Sequence, residues 1–106
     1  MTIGTSINGV SLNMEGIKEF CRKNHIKRLS LFGSIINGGF NNDSDIDVLV
    51  DFDEGHIPGL LALTTMEMEL SEFMSNCKVD LRTKDDLSHY FREEVVNGSE
   101  VVYSEA

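Results

Sequence analysis

Three aspartates and a Gly-Ser pair are the residues of this chain whose types and spacing suit chemistry. They run in the order Gly33-Ser34, ten residues, Asp45-Ile46-Asp47, and then Asp80. Side chains on a strand alternate between faces, so Asp45 and Asp47 share one face and Ile46 takes the other. Two adjacent carboxylates repel unless a cation lies between them. Mg²⁺ is a hard ion that takes one or two carboxylates plus substrate phosphates. The Asp-x-Asp pair therefore suits half of a metal–triphosphate site. Gly33 and Ser34 suit the other half. Gly at a strand end lets the backbone approach a ligand with no Cβ in the way. Ser34 can cap a short helical turn, with its hydroxyl and nearby N–H groups turned to a phosphate.

Asp80 offers a third carboxylate. Lys78, Asp80 and Arg82 share one face of an alternating segment, with Val79 and Leu81 on the other. If that segment pairs beside the Asp45–Asp47 strand, the trio is complete, and it could hold two Mg²⁺ ions about 3.5–4 Å apart. One ion would hold a triphosphate. The other would lower the pKa of an attacking hydroxyl and align it with the α-phosphorus. Each piece alone also has a plain reading. Asn42 to Asp45 can be a polar turn into a strand, and Asp80 can be one member of a surface ion pair with a flanking cation.

The elements that must position these residues follow from periodicity. Residues 1–10 carry Gly4, Ser6, Asn8 and Gly9 and read as a loosely held start with at most a short strand. Ser11 or Asn13 can cap a helix to about Asn24, whose apolar positions Met14, Ile17, Phe20 and Cys21 form one face. Residues 27–32 alternate as a strand that Gly33 ends. The Gly, Asn, Asp and Ser of 37–44 make a loop. Residues 45–52 form a nearly continuous apolar strand. Pro58 suits the start of a helix to about Asn76, with Leu60, Leu61, Leu63, Leu70, Phe73 and Met74 as its expected core side. Residues 77–83 form a third strand. A helix capped by Asp85 or Asp86 runs through Val96 to a stop at Gly98, and 101–103 add a last short strand. The order predicts an α/β (α+β) domain: a mixed, mostly antiparallel sheet with helices on one face.

Composition narrows the class. The 106 residues are expected to form one domain, 1–106, with an ordinary 41% hydrophobic content. Eighteen acidic residues against nine basic ones leave a net charge of −9. That argues against direct nucleic-acid binding, which draws on Lys and Arg at phosphates, and suits a cation or a basic protein partner. The start does not read as a signal peptide, and no apolar run is long enough to span a bilayer. Cys21 and Cys77 have no metal-type spacing and read as reduced thiols of a cytoplasmic protein. His25, His56 and His89 read as surface residues, and Glu67, Glu69 and Glu72 as a solvated helix face.

Gly33-Ser34-x10-Asp45-x-Asp47, with Leu31-Phe32 before it, Val48-Leu49-Val50 after it, the Pro58-Gly59-Leu60 helix start and Val79-Asp80-Leu81, resembles the DNA polymerase beta-like nucleotidyltransferase superfamily. More narrowly, it is similar to the minimal nucleotidyltransferases. The resemblance implies that Gly33 and Ser34 contact nucleotide phosphates and that Asp45, Asp47 and Asp80 bind Mg²⁺ and carry catalysis. It further implies an ATP-using antitoxin that adenylylates a tyrosine of a HEPN ribonuclease toxin. One departure stands out: Asn37 occupies a position where family members often carry Arg. Asn offers a neutral amide where Arg would give forked, charge-assisted bonds to phosphate. Arg82, Lys27 and Arg28 are candidate substitutes, with Arg82 best placed. Two other readings follow. Asn37 favours an antitoxin that neutralises by binding alone. The acidic charge leaves room for a small-molecule transferase of the aminoglycoside type, although 106 residues leave little structure to hold such an acceptor.

Overall fold

Residues 5–7, 9–38, 41, 44–83 and 98–105 are described in the computed structural model of the chain. Strands β1 (Thr5–Ile7) and β2 (Val10–Leu12) precede helix α1 (Met14–Lys23) and strand β3 (Ile26–Phe32). A four-residue helix α2 (Ser34–Asn37), strand β4 (Ile46–Phe52), helix α3 (Leu60–Glu72) and strands β5 (Val79–Thr83) and β6 (Glu100–Ser104) follow. The expected helix over 85–96, with His89 on it, and loop residues Gly39 and Asp43 lie outside the described residues.

The main sheet has the order β5-β4-β3-β6. β3 pairs antiparallel with β4 and β6, and β4 pairs parallel with β5. The parallel pair follows from α3, because two parallel neighbours need a long crossover between them. The mixed, mostly antiparallel sheet expected from the element order is the one observed.

α1 starts at Asn13, whose side-chain oxygen accepts a hydrogen bond from the Gly16 N–H at 3.1 Å. Arg22 and Lys23 close it, where positive charge suits the helix C-terminus. Its buried stripe is Ile17, Phe20 and Cys21. That stripe packs in one cluster with Leu29 and Leu31 of β3, Ile46, Val48 and Val50 of β4, and Val79 and Leu81 of β5. Burial pushes the Cys21 thiol up to about 12, so it remains a protonated, inert packing group.

Two local expectations are corrected. The first is the start of the chain, where β1 and β2 pair in an antiparallel hairpin that turns through Gly9 at φ +84°. Val10 and Leu12 enter the core. Ser11, a strand residue and not a helix cap, receives a hydrogen bond from the Ser75 hydroxyl at its carbonyl. The second is the core side of α3. Met66, Leu70 and Met74 form the buried line, at four-residue steps, whereas Leu60 and Leu61 are 81% and 86% exposed. Leu63, in the first turn, and Phe73 pack against the core from partly buried positions, as expected, so of the expected side only Leu60 and Leu61 turn outwards. Among the described residues no helix is long and apolar enough to cross a membrane.

Candidate active site

The site forms where β3 ends and β4 and β5 begin. Asp47, the second residue of β4, stands in register with Phe32 at the end of β3 and with Asp80 on β5. Asp45 lies just before β4. The Ile46 N–H donates to the Lys78 carbonyl at 2.7 Å, which joins the two strand starts. The condition on which the third carboxylate depended is therefore met: the 79–83 strand lies beside the Asp47 strand, aspartate against aspartate.

Gly33 closes the third side. Its φ of +79° is a conformation that side-chain-bearing residues rarely adopt. A Cβ built there would lie 2.2 Å from Asp47 Oδ2. The Asp47 carboxylate thus rests against the bare backbone of the Gly-Ser turn, which is why this position takes Gly. Gly33 occupies the cap position of α2 and Ser34 is the first helical residue, so Ser34 does not cap the turn as its type suggested. The turn is closed by the Ile36 N–H donating to the Gly33 carbonyl and the Gly38 N–H donating to the Ser34 carbonyl. Asn37 ends α2.

The electrostatics are those of crowded like charges. Burial raises the pKa of Asp47, and the carboxylates of Asp80 and then Asp45 raise it further, while Arg82 pulls the other way. Arg82 donates to one oxygen of Asp80 through Nη2 at 3.0 Å and Nε at 3.3 Å. Asp80 is therefore both a member of the trio and a member of an ion pair, so the two readings of this residue coexist. Among the described residues, no three His, Cys, Asp or Glu side chains are already gathered around a metal-sized point. Bare carboxylates that repel, one of them drawn to an arginine, would not gather so without a cation between them. The hard oxygen donors at the neighbouring starts of β4 and β5 fit Mg²⁺ in type.

Lys27 and Arg28 do not join the site. Arg28 stands opposite Asp51, four residues back along β3 from Phe32, or roughly 13 Å at strand spacing. His25 and His56 stack on each other with ring centroids 3.8 Å apart, and both are exposed.

Sequence reading missed Glu67. Its carboxylate accepts a hydrogen bond from the Leu81 N–H at 2.8 Å, at the outer edge of β5 and between Asp80 and Arg82. Glu69, on the same helix, pairs with Lys23 of α1. Of the three glutamates expected to be solvated, Glu72 is exposed, and Glu67 and Glu69 are partly buried. The available signal was the place of Glu67 next to Met66 and three residues before Leu70, at the border of the buried line.

Comparison with known proteins agrees with this geometry. Residues 15–106 match the family model described as polymerase beta, nucleotidyltransferase. Over 86 residues the chain is 37% identical to the protein adenylyltransferase MntA of Thermococcus cleftensis, covering 81% of this chain and 82% of that protein. It is 35% identical over 75 residues to a candidate protein adenylyltransferase of Methanocaldococcus jannaschii, covering 71% and 77%. A solved candidate minimal nucleotidyltransferase superposes with a TM-score of 0.66 at 30% identity, covering 83% of this chain and 85% of that one. The fold is also that of a chain in a toxin–antitoxin crystal structure with AMP-PNP, with a TM-score of 0.70 at 24% identity, covering 88% and 74%. The chain belongs to the polymerase beta nucleotidyltransferase family and is a homologue of the protein adenylyltransferases.

Proposed function

We propose that this protein is a Mg²⁺-dependent adenylyltransferase that moves AMP from ATP to a hydroxyl, a tyrosine, of a HEPN-type ribonuclease toxin, and so acts as its antitoxin. The observation that carries the reading is the parallel β4–β5 register that sets Asp47 against Asp80, with Gly33 packed under the Asp47 carboxylate. The adenylyltransferase relatives supply the reaction class. The reading takes residues 1–106 as one catalytic unit working in the cytoplasm.

In the transfer, a bond forms between the acceptor oxygen and the α-phosphorus. The bond from the α-phosphorus to the α–β bridging oxygen breaks. Pyrophosphate leaves with that electron pair, and the hydroxyl proton is released. Asp45, Asp47 and Asp80 would hold Mg²⁺, which would neutralise phosphate charge and lower the pKa of the attacking hydroxyl. Gly33 brings the backbone of the strand end close to the phosphates without a Cβ between them. Ser34 offers its hydroxyl at the same turn. Arg82 supplies the guanidinium that Asn37 does not. A net charge of −9 suits a basic ribonuclease as partner.

The test uses ATP labelled at the α-phosphate, Mg²⁺ and the source-cell extract. Label is expected on one protein, and Asp45→Asn with Asp47→Asn should abolish it, a loss of at least about 10³-fold. A double variant with full transfer overturns the reading. Asn37 favours a second reading, neutralisation by binding alone. In that case the double variant would still protect cells from the toxin and wild type would leave no label.

A further inference from the structure

Resting on the metal-dependent transfer reading, we propose that Arg82 is an internal counter-cation for Asp80, displaced from that carboxylate when a divalent cation binds and so made available to the phosphates of the nucleotide.

The argument begins with position. Asp80 and Arg82 lie two residues apart on one face of β5, which is an edge strand among the described residues. Lys78 is the other cation on that face, two residues to the other side. In the β4–β5 register Asp80 stands beside Asp47 and Arg82 beside Leu49. The guanidinium therefore sits one step further along the strand from the carboxylates, within reach of them.

The second point is how Arg82 holds Asp80. Both its Nε and its Nη2 go to the same oxygen, Oδ2. A side-by-side fork would engage both oxygens of the carboxylate. The two side chains keep 48% and 32% of their surface exposed. An ion pair this open is worth little, about 0–1 kcal/mol, and breaks easily. It satisfies Asp80 without locking it.

The third point is charge. A cation entering between Asp47 and Asp80 competes with Arg82 for the negative charge of the Asp80 carboxylate, and the guanidinium is then repelled by the metal. The nearest compensating negative charge to enter would be the triphosphate. The Leu81 N–H, held by the Glu67 carboxylate from the far edge, fixes the backbone between the two residues.

This arrangement makes an unusual pair of predictions, opposite in sign. Mn²⁺, as a probe for Mg²⁺, is titrated by electron paramagnetic resonance into the nucleotide-free protein. Arg82→Gln is expected to bind Mn²⁺ about two- to fivefold tighter than wild type, because no internal cation has to be displaced. The gain should vanish when Asp80→Asn is also present. With Mn²⁺ saturating, the same Arg82→Gln variant should bind a nonhydrolysable ATP analogue about tenfold more weakly. Arg82→Lys, which keeps the charge but not the fork, should fall between wild type and Arg82→Gln in both titrations. A merely structural role for Arg82 would weaken both or neither.

Unchanged or weaker Mn²⁺ binding by Arg82→Gln overturns the proposal. So does unchanged analogue binding. If wild type binds no Mn²⁺, or binds it undiminished after Asp47→Asn, the metal-site reading falls and the proposal with it. If wild type binds Mn²⁺ through Asp47 and Arg82→Gln is no tighter, only the role of Arg82 falls.

Discussion

The two faces of β4 make opposite use of the same seven residues. On one face Ile46, Val48 and Val50 are almost wholly buried and join both long helices in the core. On the other, Asp47 faces Asp80 and rests on the bare backbone of Gly33. Burial stabilises the first face at about 25 cal/mol per Å² of apolar surface removed from water. The second face gathers like charges and a left-handed turn, both of which cost stability. The difference shows where this chain concentrates unfavourable interactions: at one strand end, facing away from the packing that compensates for them.

The largest effect that sharpens this contrast comes from the packed side. Leu70 is fully buried in α3. Leu70→Ala should cost about 2–5 kcal/mol in denaturant unfolding. The transfer rate per folded molecule should stay within about threefold of wild type, since Leu70 belongs to the buried apolar cluster and not to the Asp45, Asp47 and Asp80 group. A folded Leu70→Ala protein that has lost transfer would show that the two faces are not separable.

A smaller effect in stability, with a larger one in chemistry, is expected at Gly33. The φ of +79° strains any other residue, by about 1–3 kcal/mol. The added Cβ overlaps chiefly the Asp47 carboxylate, with Oδ2 at 2.2 Å and Cγ at 3.1 Å. The fold can therefore accommodate Gly33→Ala by swinging the carboxylate away. The variant should fold and lose about 10²-fold in transfer, because the carboxylate is the group that moves. Calorimetry and the labelled-ATP assay check the two parts. A variant that unfolds outright would place the strain in the backbone and not in the carboxylate.

The same contrast explains what could be read from the sequence. Alternation placed Asp45 and Asp47 on one face and Lys78, Asp80 and Arg82 on another, because period two is a property of any strand. That Asp47 stands against Asp80 required knowing the partner strand, which only the crossover through α3 supplies. α1 was legible because its apolar residues form one stripe. α3 was legible in part: Leu63, Leu70, Phe73 and Met74 pack on the core as expected, but apolar residues surround the helix, and Leu60, Leu61 and Met68 are exposed while Met66 is buried. Composition cannot say which side of such a helix meets the sheet. The β1–β2 hairpin escaped because two three-residue strands carry too few positions to show a period. Glu67 escaped because its partner is a backbone N–H of a strand edge, and no residue type marks that group.

The smallest expected effect is the pH dependence of stability at Asp47. Its pKa in the folded protein lies above the ordinary value of 3.8, first through burial, then through the charges of Asp80 and Asp45. A carboxyl with a raised folded-state pKa favours the folded state while it is protonated. That contribution is complete below the unfolded-state value and is lost as pH rises through the folded-state value. In metal-free buffer Asp47→Asn should therefore melt higher than wild type at pH 7. The gap should narrow as pH falls through the folded-state pKa, and the carboxyl's share of it should be gone by pH 3. Adding Mg²⁺ at pH 7 should raise wild type more than the variant, because a cation that binds only the folded state stabilises it. Thermal unfolding of both proteins from pH 3 to 7, with and without Mg²⁺, measures all three. A gap that stays constant with pH would mean that Asn at this position acts through packing, and that carboxylate crowding is not what distinguishes this face of β4 from the other.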